Sequence, residues 1–441
     1  MSTEPLITQV HGRYYNLQGF SHPGGCPALE CARNRDATAL FESYHALHRD
    51  RPLQMLKRYE VAPEEAEADG RFLAEKRFGA TSFDWEHTLK SAFRADLLAC
   101  VRHYFVAEQA RRQLPSLAAA TKAPLRRCLE IWALGLAFGG ALVFFVQGNW
   151  WALGLTPVLG WLFMVNFWHD ALHFALSRFW RLNALLPYVF PWFLSPKLWM
   201  HQHVIGHHVF TNDPRRDPDL RAAPRVLRQT PGVAWCPWHA VQQRVPRLLV
   251  LYALVCLLRN AIKDHIMRIQ GWFNDTVPLV FGPSWRYRLH IVGRLLVFWS
   301  LFVWPFQAFA FWKALAFALV PSMVLSELFV LFSQVNHITD ANLEAAQAPS
   351  ADWYEAQVRA SCSYATGSYL AFLLSGGLNL QIEHHLLPGV NHYHLFRLSP
   401  EIRRICAQYH IPYHTFPSLR SALKAHFLCL KRLARQPAAQ V

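Results

Sequence analysis

The chain has 441 residues, 23 histidines, 31 Phe, 17 Trp and a formal net charge of +15. Hydrophobic residues make up 53% and charged residues only 17%, against about 25% charged in ordinary soluble domains. This excludes a disordered chain, and the length with nine unpatterned cysteines excludes a small disulfide-stapled domain. What remains is a membrane protein with large polar parts and an unusual store of histidine.

The N-terminus MSTEPLITQVHGRYY has no basic start followed by an apolar core, so no cleavable signal peptide is expected. His22-Pro23-Gly24-Gly25 comes next, where Pro and Gly let the main chain turn sharply beside a histidine. Behind it lie Asp36-Ala37-Thr38, Phe41, His45 and His48. The acidic stretch Pro63–Gly70 reads as a linker, and 63–127 as linker and interfacial helices. Ile131–Trp168 holds 38 residues without Asp, Glu, Lys or Arg. One span needs about 20 residues, so this block predicts two helices, near 128–147 and 151–168, with a turn at Gln147–Trp151. Leu182–Leu194 reads as interfacial, and Leu248–Leu258 as an amphipathic or re-entrant helix too short to span. A second apolar block, Ile291–Leu331, is interrupted by Arg294, Lys313 and Glu327. It predicts helices near 291–310 and 315–334 turning at Lys313, with Pro305 and Pro321 as kink points. Glu327 is a costly charge inside the last span, either functional or a sign that the span is displaced.

Four spans in two hairpins put both termini and the long middle segment on one face. On that reading 42 of the 44 basic residues fall on the same side, which the positive-inside rule makes cytosolic. The positive charge then belongs beside anionic headgroups; no nucleic-acid motif is present. Nine cysteines without a CxxC fit a reducing compartment and argue against a thiolate zinc site.

The remaining signal is histidine. His169-Asp170-Ala171-Leu172-His173 follows the second span, and His169 and His173 share a helix face at i, i+4. His201-Gln202-His203-Val204-Ile205-Gly206-His207-His208 repeats the spacing at His203 and His207, with His208 placed to reach a second ion. Gln381-Ile382-Glu383-His384-His385 follows the last span, and His337 ends the fourth. Eight imidazoles are too many for one ion and suit two ions of iron, copper, zinc or nickel. The scattered histidines, His392 and His394 among them, read as solvated or core residues.

HDALH, HVIGHH and QIEHH, in this order and spacing, resemble the three histidine boxes of membrane fatty acid desaturases. Thr211-Asn212, Asp217-Pro218-Asp219 and Gly376-Gly377-Leu378-Asn379-Leu380 fit the surroundings, and the resemblance covers about 131–400. The leading Gln381 is similar to the front-end subgroup, which desaturates between an existing double bond and the carboxyl end. Box two reads HxxxHH from His203 where HxxHH is the commonest desaturase form, so His201 can stand in for His203. His22-Pro23-Gly24-Gly25 with Asp36-Ala37-Thr38, Phe41 and His45 resembles the haem motif of cytochrome b5, shortened at the first strand.

The resemblance implies a mainly α fold. It has a four-span bundle with a cytosolic helical cap (128–400), a small α+β cytochrome b5-like domain (1–62) before it and a cytosolic tail (401–441) after it. It implies two iron ions on His169, His173, His203, His207, His208, His337, His384 and His385. Asp170, Asn379 and Gln381 stand behind them or approach a metal. It also implies haem b on His22 and His45, with His48 the other candidate. The expected activity is O2-dependent front-end desaturation of a long polyunsaturated acyl lipid or acyl-CoA in the endoplasmic reticulum. NADH-cytochrome b5 reductase would supply electrons. A sphingolipid long-chain-base desaturase, a lipid hydroxylase, and more distantly a membrane metal transporter or sensor are the competing readings.

Overall fold

The computed structural model describes residues 5–68, 72, 83–190, 193–280, 284–347 and 350–436. The end of the acidic linker, Asp69 and Gly70, lies outside the described residues. The N-terminal unit begins with an antiparallel sheet, β1 (Ile7–Val10), β2 (Arg13–Asn16) and β3 (Glu60–Val61), in that order. His11 (φ 50°) and Gly12 (φ 75°) join β1 to β2 with the two positive φ values that match a two-residue hairpin to strand twist. The short first strand is therefore fully paired. Helices α1 (Gly25–Ala32), α2 (Thr38–Tyr44) and α3 (Asp50–Leu56) complete the unit.

The rest is helical, apart from two further two-stranded pairings. After α4 (Ala92–Arg111) come α5 (Leu125–Val146) and α6 (Trp150–Val165), joined by the turn at Gln147–Asn149. A short helix, α7 (Trp168–Leu172), follows a break at Phe167 (φ −131°). Further on lie α8 (Val245–Leu258), α9 (Ser284–Ala308) and α10 (Phe311–Gln334). The cap contains α11 (Trp353–Ala360), α12 (Tyr369–Ser375), α13 (Gln381–Leu386), α14 (His392–Gln408) and α15 (Leu419–Leu433).

Among the described residues five helices are long and apolar enough to cross a membrane: Leu117–Val146, Trp150–Leu172, Val245–Gln270, Ile291–Ala308 and Phe311–Gln334. The sequence reading has four of these. The fifth arises because α8 continues through a π turn at Arg259–Lys263 into Asp264–Gln270, where the apolar run alone looks short. Apolar side chains such as Trp132, Leu136, Leu296 and Trp312 face outward, as a lipid-facing surface requires. The second hairpin turns at Phe309–Ala310 rather than at Lys313. Lys313 sits in the first turn of α10, its Nζ 4.7 Å from the Phe309 ring centroid and 5.8 Å from those of Trp150 and Phe317, so aromatic faces take up the charge. Glu327 stays inside α10, so its position is no artefact of a displaced span.

One buried core runs from Tyr15, Leu40 and Phe41 of the N-terminal unit through Trp168 and Trp199 to Leu386 and Ile402 of the cap. The segment expected as a tail (401–441) is folded in over residues 401–436, the last five lying outside the described residues: Ser363 and Tyr364 pair with Thr415 and Phe416, and buried His426 bonds Tyr252 and the Ile338 carbonyl. Its alternation of apolar and polar positions is that of a helix with one buried face, visible in Ala422, His426, Cys429 and Leu433.

The α12 helix ends on Gly376 in the left-handed region (φ 65°), and a Cβ there would lie 2.4 Å from the Val165 carbonyl oxygen. Gly376→Ala meets both a strained backbone and the end of α6, and lowers stability by about 1–3 kcal/mol. Gly139, with nothing within 4 Å of its Cβ position, tolerates Ala. Thermal unfolding of both variants in detergent checks the contrast.

Candidate metal centre

Each histidine group is delivered by a local device. The break after α6 redirects the chain so that α7 carries His169, and His173 caps it. Box two lies on a π-helical segment, Met200–His207, closed by the His208 amide donating to the His203 carbonyl at 2.9 Å. This differs from the expected α-helical i, i+4 face. The wider turn takes up the extra residue of HxxxHH. Gly206 permits the close packing: a Cβ there would lie 2.6 Å from Pro218 and 2.8 Å from Val277. Box three opens α13, and His337 lies just past the end of α10.

All eight expected histidines converge and are buried. Nitrogens of His169, His173, His203 and His384 lie within 4.8 Å of one another, as do those of His207, His337 and His385. His207 groups with His337 (Nε2 to Nε2, 3.2 Å), and it also stays beside His203, ring stacked on ring at 5.2 Å, in a further group with Asp219. His208 stands between the two groups, its Nε2 3.1 Å from His203 Nε2 and its ring stacked 4.2 Å from His385. Gln381 joins the second group, with its amide nitrogen position 3.1 Å from His337 Nε2 and 3.2 Å from His385 Nε2.

Outer partners fix the rings. Asp217 holds His207 Nδ1 at 2.9 Å, and Gln357 Oε1 holds His385 Nδ1 at 3.0 Å. The hydroxyl of Tyr44, from the N-terminal unit, holds His173 Nδ1 at 2.8 Å. Buried carboxylate and carbonyl partners of this kind orient metal-ligating imidazoles. Sequence reasoning missed Tyr44 and Gln357, for which no spacing speaks; Asp217 stood in the flagged Asp-Pro-Asp. Asp170 bonds His392 and Asn391 rather than any of the eight. Asn379 bonds Ser375 and the carbonyls of Tyr364 and Ala365, a loop-fastening role. His201 has both nitrogens on the main-chain carbonyls of Lys197 and Val280, which takes it out of the cluster.

Burial holds His203, His208, His337, His384 and His385 well below the usual imidazole range, with neighbouring imidazoles adding to the effect. Burial pulls His207 down as well, but Asp217 and Asp219 more than offset it and the net shift is upward. Apart from His207, whose extra charge the Asp217 and Asp219 carboxylates balance, these rings are neutral and keep their lone pairs. His173 Nε2, His169 Nδ1, His208 Nδ1 and both nitrogens of His384 are buried without a hydrogen-bond partner. So many orphaned nitrogens in one place are costly for a protein alone and suited to metal ions.

In the N-terminal unit His22 and His45 face each other with ring centroids 5.9 Å apart and planes 36° apart. That spacing leaves room for one metal with bonds of about 2 Å to each ring. His48 lies against His45 at 5.5 Å. Burial, then His48 and His22, push His45 down to about 3, and burial lowers His22, so both rings are neutral donors. His45 Nδ1 is a further buried nitrogen without a partner.

A family profile described as fatty acid desaturase matches residues 148–417. The chain belongs to the fatty acid desaturase family. A second profile, for a cytochrome b5-like heme/steroid binding domain, matches residues 2–63, so the family domain here carries a b5-like domain in front of it. Among its relatives, the chain is 26% identical to Delta(5) fatty acid desaturase A of Dictyostelium discoideum, covering 97% of this chain and 90% of that one. It is 28% identical to acyl-lipid (8-3)-desaturase B of the same organism, covering 97% and 91%. It is 26% identical to acyl-lipid (8-3)-desaturase of Mortierella alpina, covering 98% and 94%.

Asp217→Asn weakens the acceptor behind His207 and lowers metal affinity by roughly 10- to 100-fold. His201→Ala leaves metal content unchanged, because both its nitrogens are already bonded elsewhere. Metal retained by each purified variant under chelator competition tests the pair.

Proposed function

We propose that the protein is a front-end acyl desaturase of the endoplasmic reticulum membrane. It inserts a double bond between an existing one and the carboxyl end of a long polyunsaturated acyl chain. The single observation that carries the reading is the meeting of all three histidine boxes and His337 in one buried cluster, next to a b5-like domain in the same chain. The reaction removes two hydrogens from the acyl chain and, with two external electrons and two protons, reduces O2 to two waters. Two irons held by the eight histidines would supply activation of O2 and abstraction of hydrogen from an unactivated methylene.

The chain's own residues prepare that chemistry. With Nδ1–H of His173 donated to Tyr44, and Nδ1–H of His207 donated to Asp217, the Nε2 lone pairs face the cluster. Trp168 and Trp199, both almost fully buried, wall the site against water. Phe138, Phe145, Phe190, Pro321 and Leu325 line a small, mostly apolar cavity between α5, α6 and α10, where the one polar side chain, Thr156, is turned to the Ala141 carbonyl. Its walls suit hydrocarbon, and two of those helices lead directly into the histidine cluster.

His22 and His45 would hold haem b, which would supply the electrons drawn from NADH-cytochrome b5 reductase. Tyr44, which precedes His45, touches His173, so the donor domain is docked at the metal cluster rather than only tethered to it. Tethering raises effective concentration, and docking adds orientation.

Four spans with the site and both termini cytosolic complete the proposal. His207 and His337 are 3.2 Å apart, so the chain between them crosses the membrane an even number of times. Three apolar helices lie between them, so one does not cross. We take Val245–Gln270 as that one, a choice supported by the bonds of Tyr252 to His426 of the cap and of Arg259 to Gln202 beside His203. The opposite hairpin tips meet each other, with Phe309 and Lys313 against Gly148.

Expression in yeast fed a panel of polyunsaturated acids, with double bonds located by mass spectrometry, tests the activity. The wild type yields a new double bond on the carboxyl side of an existing one, and His384→Ala yields none. A new double bond in a sphingoid base instead overturns the acyl substrate.

A further inference from the structure

His392 belongs to none of the boxes, and nothing in its spacing marks it. It opens α14, seven positions beyond His385, after the loop at 387–391. The fold nevertheless brings it inside the cluster. Its ring centroid is 4.7 Å from His384 and 5.1 Å from His169, and only 1% of the residue is exposed. Nδ1 is bonded to one oxygen of Asp170, and Asn391 donates to the other oxygen at 2.7 Å. Nε2 is buried with no partner. A nitrogen of His169, a nitrogen of His392 and an oxygen of Asp170 all lie within 4.8 Å of one another.

Room for this ring is provided for. Gly377 has φ 92°, and a Cβ there would lie 2.5 Å from His392 Cβ and 2.7 Å from its ring. Asn391 both caps α14, accepting from the Tyr393 amide at 3.2 Å, and holds Asp170. The ring is therefore fixed from three sides, with its free nitrogen buried and the rings of His384 and His169 beside it.

We propose that His392 is a ninth imidazole ligand, binding the first metal through Nε2 alongside His169 and His384. Asp170 accepts the Nδ1–H, which fixes the tautomer and raises the basicity of Nε2, the usual setting of a metal-bound histidine. This gives Asp170 its role: it backs His392 rather than the two histidines of its own box. A merely structural Asp–His pair has no need to leave the second nitrogen buried and unbonded beside two other imidazoles. The proposal rests on the iron-binding reading above.

The test is the Mössbauer spectrum and non-haem iron content of the iron-loaded full-length chain. Wild type gives two non-haem iron signals. His392→Ala changes or loses one of them and leaves the other and the haem absorption in place, with affinity for the affected iron falling roughly 10- to 100-fold. Unchanged spectra and iron content in a monodisperse His392→Ala protein overturn the proposal. If that variant does not fold, Asp170→Asn decides: it keeps the shape of the side chain and weakens the acceptor. It must alter the same signal; a spectrum identical to wild type overturns the proposal equally. Wild type without non-haem iron brings down the iron-binding reading itself, a result separate from failure of the variants alone.

Discussion

Everything in this molecule answers to one constraint: a set of neutral imidazoles packed together out of water with their lone pairs unsatisfied. A protein that only folded would not keep both nitrogens of His384 and one each of His169, His173 and His208 buried and unbonded. The surrounding shell of Asp217, Gln357, Thr211 and Tyr44 fastens the outer nitrogens and leaves the inner ones free. Carboxylates are kept behind the rings rather than in the middle. A cage of unpaired buried charges would cost far more than neutral rings do.

That constraint governs the chain's path. Residues from 169 to 385 have to return to one point, so membrane crossings between histidine groups must come in pairs. In the proposed topology the hairpin of α9 and α10 satisfies this, while the middle of the helix at Val245–Gln270 is bonded through Tyr252 to His426 and through Arg259 to Gln202. The π-helical segment at Met200–His207 serves the same end locally, letting His203 face His169 while His207 reaches His337. The N-terminal unit is drawn in as well. Tyr44 places the residue next to a candidate haem ligand against a candidate iron ligand, so one side chain links two redox modules.

Much of this was legible in the sequence because its signals are local. Long apolar runs, the first without a charge and the second with three, marked the hairpins, and the spacing within HDALH, HVIGHH and QIEHH marked seven of the eight converging histidines. Gln381, flagged at the head of box three, does reach His337 and His385. What stayed hidden depends on long-range return of the chain. His392 and Tyr44 carry no helical spacing to any partner, and only the tertiary fold puts them beside His384 and His173. The choice between His201 and His203 was equally closed to sequence, since it turns on a carbonyl of Val280 that takes His201 Nε2. The π turn was missed because α-helical periodicity was assumed where the box has one residue too many for it.

The most direct test of the account is the metal content of the purified full-length protein. Iron, zinc and extractable haem are measured per chain. The account predicts three iron atoms, one released as haem b and two held by the histidine cluster, with no stoichiometric zinc. Zinc filling the cluster, or haem with no further iron, would contradict it.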